Sequence, residues 1–150
     1  MTSYWVNQTG FTMRPTGTRR RVFPPWRVRT EYEFTLDPNN PLTFHATPDC
    51  YIQPDRHGVT DMGSIPEAVQ PLCPKDAYLA SFILHDSGCR EHGLYFAEEY
   101  NGPYEYRPID SARVHELLRR CIQAEGGWFR AWPIWAIVRA FGPRFTLSTP

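Results

Sequence analysis

The chain has 150 residues, of which 41% are hydrophobic and 15% aromatic. That supports one domain with a sizeable core and excludes a disordered segment, because burial on this scale offsets chain entropy. Sixteen basic and sixteen acidic residues balance to a formal net charge of zero, so no global field favours a nucleic-acid partner. Lys75 is the only lysine among the basic residues, the rest being arginine.

The first residues, Met1 to Trp5, lack a basic region followed by an apolar run, so no signal peptide is expected. Residues 1–25 read as an irregular arm punctuated by Gly10, Pro15, Gly17, Pro24 and Pro25, with a basic run at Arg19, Arg20 and Arg21. Residues 26–145 are expected to form the single domain, and 146–150 a tail. Arg27 to Leu36 alternates polar and apolar residues, the period of a half-buried strand. Asp37-Pro38-Asn39-Asn40-Pro41 is a turn by composition, after which Leu42 to Ala46 returns antiparallel. Asp49 to Gln53 supplies a third strand.

Residues 76–91 are expected to be a helix, with Asp76 near its N-cap and Gly93 ending it. Residues 94–107 read as a loop with room for a small hairpin. A second helix is expected from near Pro108, a residue favoured at the first helical position, to about Glu125. Its apolar row is Val114, Leu117, Leu118, Cys121 and Ile122, and one turn back from Val114 lies Asp110. A third helix, about Phe129 to Phe141, is apolar on nearly every side; Trp128, Trp132 and Trp135 with Arg130 also suit a membrane interface, but the aromatic residues are expected to complete the core. The longest apolar stretch, Trp132 to Phe141, contains Pro133 and Arg139 and is too short to span a bilayer. The fold expected is α+β, a small antiparallel sheet from the first half packed on three helices from the second.

His85 and Asp86 stand out because they continue the apolar stripe of the first helix: Phe82, His85 and Cys89 share one row, and Ile83, Asp86 and Arg90 the next. A carboxylate aimed at a core needs a partner. Adjacent helical residues diverge by about 100°, so the pair divides labour: His85 as general base, Asp86 as a cation ligand. Asp110 would orient His85, and Asp61, in the turn Thr60 to Pro66, would add a carboxylate for a hard cation such as calcium. A zinc alternative uses His85, Cys89 and His92 on one helical face, with Cys121 reaching in from the second helix. Cys50, Cys73, Cys89 and Cys121 contain no Cys-x-x-Cys pair and read as free thiols of a reducing compartment.

Thr60-Asp61, Ser64-Ile65-Pro66, His85-Asp86, Asp110 and Val138-Arg139-Ala140-Phe141-Gly142 together resemble a small phage-encoded domain family of unknown function. The resemblance spans roughly residues 50–142 and implies a tail- or virion-associated protein, made in the host cytoplasm and docked to other phage structural proteins, in which His85, Asp86, Asp110 and Asp61 would be a buried polar network that fixes the fold. A more distant resemblance is to secreted phospholipase A2, whose helix carries a His-Asp pair followed by a tyrosine. It implies calcium-assisted hydrolysis of an ester, such as a host-envelope lipid, with His85 and Asp110 catalytic and Asp86 on the metal. Here Cys89 stands at the tyrosine position, and no glycine-rich calcium loop is present.

Overall fold

The computed structural model describes residues 3–22, 27–46, 50–60, 78–142 and 144–146. Eight strands and three helices follow in the order β1 (Tyr4–Asn7), β2 (Phe11–Val22), β3 (Arg27–Leu36), β4 (Thr43–Ala46), β5 (Cys50–Gln53), β6 (His57–Thr60), α1 (Leu79–Glu91), β7 (Gly93–Ala97), β8 (Glu105–Pro108), α2 (Ser111–Ala124) and α3 (Trp128–Phe141). The α+β class is as expected, but the single sheet is in fact two. One has the order β1-β4-β5-β7-β8 and the other β2-β3-β6, both antiparallel throughout.

Three local expectations change. Residues 1–25, read as irregular, carry β1 and the whole of β2, whose pairing with β3 shifts register between Pro15 and Arg19. That irregularity is where a strand tolerates proline and glycine, and it hides the alternation. β4 does not return along β3 but pairs with β1 and β5. The loop after α1 is the β7-β8 hairpin, which extends the larger sheet, so Pro108 ends a strand and does not begin a helix. The chain turns out of α1 through His92, which adopts the left-handed conformation (φ 54°) just before Gly93.

The larger sheet closes on α1 and α2 through Phe44, Ile52, Leu84, Leu94, Val114 and Cys121. Phe34, Leu36 and Leu42 meet Ala80 and Ile83 of α1 on the other side. A third cluster joins the helices: Phe82, Leu118, Ile122, Ala131 and Ile134. α1 therefore contributes to all three clusters. A helix apolar on nearly every side is a buried helix, and α1 is the axis of the domain.

Its polar residues are partnered accordingly. Ser87 Oγ accepts the Asp55 backbone N–H at 2.8 Å, and Ser81 Oγ donates to the Glu125 carboxylate. Gly88 faces α2 at close range: a Cβ there would lie 3.1 Å from Val114. β1 is tied to α2 from the far end of the chain. Trp5 Nε1 donates to the Cys121 carbonyl at 3.3 Å, and Arg120 Nη2 to Ser3 Oγ at 2.6 Å.

Candidate metal centre

His85 lies at the middle of α1, 7% exposed, with its ring turned toward α2. One turn later on the same helix face is Cys89, whose Sγ is 3.5 Å from His85 Nε2. His115 of α2, 2% exposed, brings Nδ1 to 2.9 Å from the same nitrogen. All three donor atoms lie within 4.8 Å of one another, the only such convergence of His, Cys, Asp or Glu among the described residues. A tetrahedral ion with bonds of about 2.0 Å to nitrogen and about 2.3 Å to sulfur spaces its donors roughly 3.3–3.6 Å apart. The cluster needs only small side-chain adjustments to reach that spacing.

The other His85 nitrogen faces a carboxylate. Nδ1 is 3.5 Å from Asp86 Oδ1, and Asp86 Oδ2 accepts a hydrogen bond from the hydroxyl of Thr60, the buried last residue of β6. Asp86 is placed to accept the Nδ1 proton of His85, which would leave Nε2 to a metal once its own proton is displaced, the arrangement that orients metal-bound imidazoles. Arg90 fixes the same helix end to β6, donating Nη1 to the Val59 carbonyl at 3.2 Å. Burial opposes charge on His85, but the hydrogen bonds to Asp86 and Cys89 overcome it and push the pKa up to about 10.

The expected site is thus rearranged. His85 and Asp86 do adjoin, but Asp86 bonds Thr60 and the outer nitrogen of His85, away from the donor cluster. Asp110 is the N-cap of α2, its carboxylate accepting the Arg113 backbone N–H at 3.0 Å. The contact from α2 to His85 comes instead from His115. Asp61 lies outside the described residues, as do Ser64, Cys73 and Asp76.

In the zinc alternative, His85 and Cys89 hold their places but His92 and Cys121 do not. His92 is exposed and stacks on Phe145 at 4.1 Å, while burial raises the Cys121 thiol well above its ordinary pKa and keeps it protonated. Cys50, Cys89 and Cys121 are all free thiols.

His115 was absent from the sequence reading although its position signals it. It precedes Leu118 by three residues and Ile122 by seven, inside the buried stripe of α2. No helix among the described residues is long and apolar enough to cross a membrane. No protein-family model, curated protein or solved structure matches the chain, so the functional reading rests on this geometry and on the sequence pattern.

Proposed function

We propose that the protein is a metal-dependent hydrolase that binds a zinc-type ion through His85 Nε2, Cys89 Sγ and His115 Nδ1. The observation that carries this is the convergence of two imidazoles and a thiol from α1 and α2, with Asp86 behind His85. Nitrogen and sulfur donors suit zinc, whereas calcium takes six to eight oxygens. The calcium preference drawn from the phospholipase likeness is therefore replaced by zinc.

His85, Cys89 and His115 would hold a zinc ion with one position open, where the ion would supply a bound water of pKa about 7. Asp86 and Thr60 orient His85, and Cys89, half-buried, marks the side nearest solvent. The substrate class proposed is a carboxylic or phosphoric ester. Metal binding must displace the proton favoured on His85, so affinity rises with pH.

A second reading keeps the same residues without an ion. Each member of the cluster is bonded to another side chain, which suits a buried polar network that fixes the packing of α1 on α2. Together with the phage-family resemblance, this supports a tail- or virion-associated structural protein.

Elemental analysis and cobalt substitution separate the two readings. The hydrolase reading expects about one ion per chain, a thiolate-to-cobalt absorption band lost in Cys89→Ser, and ester cleavage lost in His115→Ala. Asp86→Asn should weaken the metal about 10–100-fold. A folded protein that takes up neither zinc nor cobalt overturns the metal centre. Loading without ester cleavage keeps the centre and removes the hydrolase.

A further inference from the structure

Among the described residues five large hydrophobic side chains are exposed, and three of them fall in the first five positions of α3. Trp128 is 63% exposed, Phe129 93% and Trp132 49%. They do not complete the core as expected. Ala131 and Ile134, on the opposite side of the helix, do that against Phe82, Leu118 and Ile122. Three exposed aromatic side chains within the first five positions of one helix mark a candidate interaction site.

The surrounding charge says what covers it. From Gly126 to Pro150 the sequence has three arginines, Arg130, Arg139 and Arg144, and no acidic residue, in a chain that is neutral overall. The arginines and indoles are interleaved. The Arg119 guanidinium, which also pairs with Glu116, lies 4.3 Å from the Trp132 ring centroid, and that of Arg139 lies 5.1 Å from Trp135. Trp132 and Trp135 meet edge to face at 5.9 Å.

A second copy of this chain docking symmetrically on the patch would bring the same arginines against each other, because such an interface is self-complementary. A lipid surface meets both chemistries at once. Indoles and a phenyl ring settle at the headgroup boundary, and guanidinium groups reach the phosphates.

We infer that α3 is an interfacial anchor that seats the protein on an anionic membrane through Trp128, Phe129 and Trp132, with Arg130 and Arg139 contacting lipid phosphate. The helix lies in the plane of the surface and does not cross it. The anchor is independent of the metal centre, since its residues are on the far side of α3 from the core.

The test is flotation of the full chain with phosphatidylglycerol-containing vesicles and with pure phosphatidylcholine vesicles, read together with tryptophan emission. Binding with a blue shift is expected on the anionic vesicles only, weakened by high salt. Phe129→Ser and the double variant Trp128→Ser/Phe129→Ser should bind about tenfold more weakly or worse. Arg130→Glu/Arg139→Glu should lose the preference for anionic lipid.

Phe129 is so exposed that its serine variant should melt with the parent, which separates lost anchoring from lost folding. Absence of binding to anionic vesicles overturns the inference, as does equal binding to neutral ones. A soluble dimer dispersed by Phe129→Ser also overturns it, because a second copy would then be the occupant.

Discussion

The α1-α2 interface and the outer face of α3 invert the usual partition in opposite senses. At the first, two buried imidazoles and a half-buried thiol converge; at the second, three aromatic rings stand in water. An unsatisfied buried polar group costs roughly 1–3 kcal/mol, so each member of the inner cluster needs a partner. Exposed rings forfeit about 25 cal/mol for each Å² left uncovered, which folding alone cannot recover. Misplaced chemistry, more than burial itself, is what points to function here. The inner region is suited to an ion and the outer one to a surface.

The two sides of α3 offer the strongest contrast. Ile134→Ala, on the core side, should lose about 2–5 kcal/mol in denaturant unfolding, while Phe129→Ala should stay within about 0.5 kcal/mol of the parent. Similar losses at both positions would mean that the patch is covered within the molecule.

Next in size is a pH effect at the inner cluster. The folded pKa of His85 is raised from 6.5 to about 10, so its stabilising contribution is complete below pH 6.5 and disappears as pH rises through about 10. Metal-free protein should therefore melt several degrees lower at pH 10 than at pH 6.5, and His85→Gln should flatten that slope. A melting curve indifferent to pH over this window in the parent would show that His85 is neutral in the folded state.

The smallest change is one that touches no donor. Gly88→Leu pushes Val114 and hence α2 away from α1, at about 1–3 kcal/mol in stability. It should still abolish metal uptake, because His115 moves off with α2. Undiminished cobalt binding in this variant would place the third donor elsewhere.

His85 was legible in the sequence because a polar residue inside an apolar helical run is conspicuous. The buried stripe of α2 was equally plain. His115 escaped because the stripe was read as apolar positions only, although a histidine at the same spacing faces the same way. Asp110 was misread for a local reason: an acid before a helix usually caps it, and its carboxylate accepts from Arg113 three residues on.

Which strands pair was not readable from local pattern. The register of β4 with β1 and β5 is set by contacts far apart in sequence, and Pro15 and Gly17 conceal the longest strand. The composition of α3 allowed both a core helix and an interfacial one, and the expectation favoured the core. A helix rich in indoles looks like core until its neighbours prove able to cover only one side.

The bond from Trp5 to the Cys121 carbonyl spans 116 positions, and Gln8 reaches Glu125 in the same way, at 2.6 Å. β1 is an edge strand paired with β4, and its hydrogen bond to the helices is the one to α2. During synthesis this strand must wait for more than a hundred residues before that anchorage exists. Closing so long a loop is slow, and ordering of the larger sheet's outer edge is accordingly a late event in folding.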